Sequence, residues 1–317
     1  MRAVGYDRYG GPEVLRVLDV PVPVPGGREV LVAVAATSVN LSDWECLTGS
    51  PAYARLGGLR RPARRVLGSD IAGRVVAVGA EVTAFRPGDE VYGDNLALKG
   101  GFAEYCVAPE SALAPKPEGL SFVEASTIPQ SGVIALQGTA GVRPGMRVCL
   151  NGAGGGSGAF AIQLAARAGA HVTAVDNAGK LDFMRALGAD EVLDHARADF
   201  TRSGPYDLVL DLVADRPVTS YRRALAPGGT YRCVGGTTRT LVRVATAGFV
   251  LGRLTGRHLG VLAVREGPAH FTPMAAHCLA GEVSIHVDRT VGLEEVPEAL
   301  AHVGAGRALG KVVVEVG

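Results

Sequence analysis

The sequence has little lysine. Only four of its 32 basic residues are lysines, Lys99, Lys116, Lys180 and Lys311, and the rest are arginines. With alanine and glycine abundant, this reads as a GC-rich coding bias and not as a functional patch. Neither sign of charge is in excess. A net charge of +1 removes the electrostatic case for nucleic-acid binding. Cysteine is sparse: Cys46, Cys106, Cys149, Cys233 and Cys278 are scattered, odd in number and without CxxC or other metal-type spacing. That argues against a disulfide framework and for reduced thiols in a cytoplasmic setting. The first residues, Met1 to Tyr6, lack the apolar core of a signal peptide. A long apolar run is missing too. The best candidate, 241–264, is broken by Arg243, Arg253, Arg257 and His258, so it predicts a flap or subunit contact and no membrane span.

What is present is enough apolar residue, 47% of 317, to fill the cores of about two domains. The most informative stretch runs from Val148-Cys149-Leu150-Asn151 into Gly152-Ala153-Gly154-Gly155-Gly156-Ser157-Gly158. A short strand enters a glycine-dense turn, which opens the small-residue helix 159–165. Glycine permits the tight turn and lets a pyrophosphate approach without a Cβ in the way. The helix start offers free N–H groups to the anion. A second strand, 172–176, ends at Asp176, near the offset expected for an acid that accepts from a ribose. Gly152, Ala153, Gly155, Gly156, Ser157, Gly158, Asp176, Asn177 and Lys180 are therefore candidate cofactor residues. Val213 and Val234, at the ends of later strands, join them.

Around this turn the pattern is two-part. The first ~120 residues read as β-rich, with strands at 30–39, 71–78 and after the Arg86-Pro87-Gly88-Asp89 turn. Residues 121–140 look helical, with Pro129 and Gly132 marking a break. From 147 to 234, strands (148–151, 172–176, 191–194, 208–213, 230–234) alternate with helices (181–187, 218–225), the signature of a doubly wound parallel sheet. The tail predicts a strand at 283–287, a helix at 294–303 and a final strand at 311–316.

Several stretches resemble, in order, the zinc-independent, quinone oxidoreductase-like branch of the medium-chain dehydrogenase/reductase superfamily. They are Tyr9-Gly10-Gly11-Pro12-Glu13-Val14-Leu15, Ser38-Val39-Asn40-Leu41-Ser42-Asp43-Trp44, Leu67-Gly68-Ser69-Asp70-Ile71-Ala72-Gly73, Phe85 to Val91, Gly101-Phe102-Ala103-Glu104-Tyr105, Leu187 to Val192 and Gly310-Lys311-Val312-Val313. The resemblance implies an α/β protein. A GroES-like β-rich catalytic domain (1–120 and 265–317) would carry an inserted Rossmann cofactor domain (121–264), with the active site in the cleft and a homodimer joined at cofactor-sheet edges. It also implies Lys311 as a cofactor contact.

Zinc-dependent relatives have Cys where this chain has Asn40, and Gly-His-Glu where it has Gly68-Ser69-Asp70. The resemblance thus implies no metal, and a reductase that passes hydride from NAD(P)H to an activated C=C bond (an enone or enoyl group) or to a quinone. The substrate would be small and apolar. Asn40 and Ser69 are candidate hydrogen-bond donors to it, Asp43 a loop-ordering residue, and Tyr53 a proton donor, although the arginine-rich stretch 54–66 departs from the enoyl reductases. Trp44, Tyr92 and Phe102 are candidates for pocket lining or core. Ile134 stands where relatives place a threonine near the nicotinamide. A zinc-free carbonyl or alcohol oxidoreductase, and a non-catalytic nucleotide-binding protein of the same fold, are the alternatives.

For the cofactor, Asp176 accepts from ribose hydroxyls and repels a 2′-phosphate, favouring NADH; Lys180 and the family habit favour NADPH. Asp176→Ser is expected to shift selectivity, measured as the ratio of kcat/KM values, towards NADPH. An unchanged ratio would remove Asp176 from that role.

Overall fold

The computed structural model describes residues 1–316 as two compact units, 1–133 with 265–316, and 134–264. Along the chain, the first unit begins with the β1 (Arg2–Gly5) and β2 (Arg16–Asp19) ribbon, then β3 (Glu29–Val39) and α1 (Leu41–Thr48). β4 (Asp70–Val78), β5 (Glu90–Asp94), β6 (Tyr105–Pro109) and β7 (Leu113–Pro115) follow, then α2 (Phe122–Ser126) and α3 (Pro129–Gly138). Ser121 starts α2 with a reciprocal cap: its Oγ accepts from the Glu124 N–H while Glu124 accepts from the Ser121 N–H. Pro129 opens α3, so the break lies at Thr127 and Ile128; Gly132 is inside the helix, where a Cβ would press on Met274.

The second unit contains β8 (Arg147–Asn151), α4 (Gly156–Arg167), β9 (His171–Asp176), α5 (Leu181–Ala186), β10 (Glu191–Asp194), β11 (Tyr206–Asp211), α6 (Val218–Ala224) and β12 (Leu225–Cys233). α7 (Thr238–Arg243), a π turn (Val244–Gly248) and α8 (Phe249–Thr255) run on without interruption before β13 (His258–Val261). The strands form one parallel sheet in the order β10-β9-β8-β11-β12-β13. This is the doubly wound order whose reversal sits beside the first strand, where nucleotides bind. Asp211 ties three of its strands together, accepting from Asn151 Nδ2 at 2.8 Å and Tyr231 Oη at 2.8 Å. Burial pushes its carboxyl up to about 6, against those two bonds.

The chain then returns to the first unit with α9 (Pro268–Leu279), β14 (Val287–Val291), α10 (Val296–Gly304) and β15 (Lys311–Glu315). β15 pairs antiparallel with β3, giving the sheet order β14-β15-β3-β4-β5-β7, with β6 also on β3. The tail strand expected at 283–287 lies instead at 287–291, because its partner is β15 and the pairing begins at Val287↔Lys311. The strand β13 lies within the apolar run 241–264. Among the described residues no helix is long and apolar enough to cross a membrane.

Candidate active site

The glycine turn is tight and nearly free of side chains. Gly152 has φ +81°, and the N–H groups of Gly152 and Ala153 both donate to the Val175 carbonyl. Gly158 lets α4 lie against the turn: a Cβ there would sit 2.4 Å from the Ala153 carbonyl oxygen. Gly155 caps α4 in an extended conformation and brings no side chain, so the first-turn N–H groups of Gly156, Ser157 and Gly158 meet no capping oxygen. A dinucleotide pyrophosphate fits that arrangement. Val213 lies over the turn, its methyls 3.4 Å from where a Gly152 Cβ would be, and the Val234 N–H donates to the Asp211 carbonyl.

Asp176 does more than end β9. Its Oδ2 accepts from the Gly154 N–H at 2.9 Å and Lys180 Nζ at 3.5 Å, and its Oδ1 from the Asn177 N–H and Nδ2. Lys180 is buried against Gly154, where a Cβ would meet its Cδ at 2.4 Å. The carboxylate therefore holds the turn closed through its own lysine.

A second polar cluster lies in the first unit, where β3, β4, β5 and β15 meet α3. Asn40 precedes α1, and its N–H donates to Asp43 Oδ2 at 3.0 Å. Its side chain does not cap the helix. Nδ2 donates to Asp70 Oδ2 at 3.0 Å and Ser69 Oγ at 3.5 Å, while Oδ1 accepts from Lys311 Nζ at 2.6 Å. Asp70 Oδ1 takes the Gln130 N–H at 3.0 Å, and Lys311 Nζ stands 3.5 Å from Asp70 Oδ2. Beside this, Lys99 Nζ pairs with Asp43 Oδ1 at 3.2 Å. Burial pushes the Asp70 carboxyl up and the Lys311 ammonium down, and each charge pulls the other back. For Lys99 burial is the largest influence and works downward, but Asp43, Cys46 and Asp94 together raise it and the net shift is up.

The structure thus brings Asn40, Ser69 and Lys311 together, with Lys311 bonded to Asn40. Tyr53 stands apart: its hydroxyl donates to Glu45 Oε1 at 2.7 Å. Burial, then Glu45, holds its phenol above the ordinary range. Tyr92 and Phe102 are core residues, fully buried. Gln130, Lys99 and Asp94 went unnoticed in the sequence. Of these only Lys99 carried a signal, as one of four lysines; its N–H closes the 96–98 turn on the Asn95 carbonyl and its φ is +56°. Among the described residues no three His, Cys, Asp or Glu side chains gather as a metal site.

The chain belongs to the quinone oxidoreductase-like branch of the medium-chain dehydrogenase/reductase superfamily. Residues 26–118 match the family described as alcohol dehydrogenase GroES-like domain, and 187–314 that described as zinc-binding dehydrogenase. The chloroplastic quinone-oxidoreductase QR1 of Triphysaria versicolor is 32% identical over 99% of this chain and 98% of its own. The 2-methylene-furan-3-one reductase of Solanum lycopersicum is 31% identical over 99% of this chain and 79% of its own. The structure of the quinone oxidoreductase from Coxiella burnetii superposes with a TM-score of 0.90 at 28% identity, covering 100% of this chain and 99% of that one.

Asp94 generates a pH prediction. It lies directly across from Asp70 on the neighbouring strand, and its Oδ1 is shielded from water without a hydrogen-bond partner. Burial, then the Asp70 charge, pushes its carboxyl up to about 8, against Lys99 and a bond from Gln130. Folded Asp94 holds its proton more tightly than unfolded Asp94. Its burial is therefore neutral below the ordinary carboxylate range and costs progressively more stability as pH rises towards about 8. Asp94→Asn should flatten that part of the Tm-against-pH curve and raise Tm above it. A curve identical to the parent's would show that Asp94 ionises normally.

Proposed function

We propose that the protein is an NAD(P)H-dependent reductase of enone-type C=C bonds or quinones that works without a metal. The observation that carries this is Lys311. Its ammonium sits between Asn40 and Asp70, at positions where zinc-dependent relatives place a cysteine and a glutamate. Ser69 replaces the imidazole ligand. An ammonium already supplies the positive charge there, and the remaining donors are neutral oxygens and one carboxylate, a poor set for zinc.

A nicotinamide bound at the glycine turn supplies the hydride. The chain's own residues then have to hold the acceptor and stabilise negative charge on its oxygen. Ser69 Oγ accepts from Asn40 Nδ2 and from Gln130 Nε2 at 3.4 Å, which leaves its O–H proton uncommitted and aimed by two donors. In this proposal that O–H donates to the substrate carbonyl, and Asn40 fixes its direction. Tyr53 takes a lesser part, because Glu45 holds its proton and burial opposes the phenolate it would leave. NADH is the favoured cofactor, since a 2′-phosphate would meet the Asp176 carboxylate.

Spectrophotometric oxidation of NADH and NADPH against an enone, a quinone and a saturated ketone tests this. Turnover of the first two only, unaffected by EDTA, is expected, and Ser69→Ala should lower enone kcat about 10²-fold. Loss of activity in EDTA, or preference for the ketone, would favour a carbonyl oxidoreductase. Cofactor binding without any oxidation would favour the nucleotide-binding alternative.

We further propose a homodimer in a reducing cytoplasm. All five cysteines are unpaired, and β13 is an edge strand of the cofactor sheet. Light scattering should give twice the 32.6 kDa chain mass; a monomer at all concentrations would reject the dimer.

A further inference from the structure

The continuous helical segment from α7 to α8 has two faces. Thr240, Val244, Gly248 and Gly252 turn inward at every fourth residue and are buried, with Leu241 and Leu251 packed on the core of the second unit. The outward face carries Val242, Phe249, Val250 and Leu254, exposed by 57%, 55%, 57% and 78%. Arg239, Arg243 and Arg253 are exposed on the same segment, with Arg253 over the Phe249 ring at 5.0 Å. So much contiguous exposed apolar surface marks a contact site.

Charge is segregated to the same place. From 216 to 265 the chain has nine arginines and no acid. A second acid-free stretch, 46–69, has five more, and Leu56 and Leu59 there are exposed by 85% and 78% beside exposed Arg60, Arg61, Arg64 and Arg65. Fourteen of the 32 basic residues in a nearly neutral chain thus fall in two stretches that also bear its most exposed leucines.

We propose that the outward face of α7 and α8 docks on an anionic lipid surface, with its apolar side chains in the acyl boundary and its arginines on the headgroups. Exposed apolar residues flanked by arginines on one helical face are the pattern of interfacial helices. A second copy fits less well, because a two-fold contact would set this acid-free arginine face against itself. Nucleic acid has no use for four exposed apolar side chains. The proposal is independent of the reaction proposed above; it would place the protein at the phase in which apolar quinones dissolve.

The test is flotation of the full chain with phosphatidylcholine vesicles, with and without phosphatidylglycerol. Binding to the phosphatidylglycerol vesicles only, released by high salt, is expected. Arg239→Gln with Arg243→Gln should weaken it roughly 20-fold. Val250→Ser with Leu254→Ser should weaken it roughly 10-fold or more with unchanged circular dichroism; if that pair lowers Tm, Leu254→Ser alone serves. No flotation at low salt, or equal binding by all variants, would overturn the proposal. So would a halved solution mass in the Val250→Ser/Leu254→Ser variant, which would assign the face to a second copy.

Discussion

The bond from Lys311 Nζ to Asn40 Oδ1 joins residues 271 positions apart. It crosses the seam where β15 meets β3, so the last strand of the chain is locked onto the sheet begun near its start. The first unit is closed only by residues that follow the whole second unit in the chain. The polar cluster depends on the same contact. With Lys311 on its Oδ1 and Asp70 on its Nδ2, the Asn40 amide has one orientation, and Nδ2 also reaches Ser69 Oγ. Removing the ammonium would leave Asp70 buried and uncompensated, a change that costs far more than a surface ion pair.

Lys311 is not alone in this. Lys99, Lys180 and Lys311 are buried, the Lys116 side chain is 9% exposed, and every one meets a carboxylate: Asp43, Asp176, Asp70 and Glu90. Arginine supplies the other 28 of the 32 basic residues. A compact ammonium on a flexible stem fits beside one or two buried acceptors, whereas a planar guanidinium needs a flat fork of partners and more room.

Much of the second unit was legible because its signals are local. Glycine at 152, 154, 155, 156 and 158, the apolar runs on either side and the terminal Asp176 are all read within a few residues, and the strands expected at 191–194 and 172–176 lie at 191–194 and 171–176. Elements defined by partners were read less well. β14 sits four residues later than its apolar run suggested because β15 sets the register. The first unit extends to 133, inside α3, because Gln130 belongs to the Asp70 cluster.

The sequence by itself determined the doubly wound sheet, the glycine turn and the absence of cysteine and histidine at 40 and 69, since residue type and short-range spacing decide backbone turns and ligand chemistry. Only the tertiary structure decided that Asn40 faces Lys311 and Asp70 instead of capping α1. It alone set two aspartates across adjacent strands, and turned Asp176 back onto its own glycine turn. The reason is physical: hydrogen-bond pairing and the protonation of buried groups depend on neighbours in space, and here those neighbours come from strands and helices far apart in the chain.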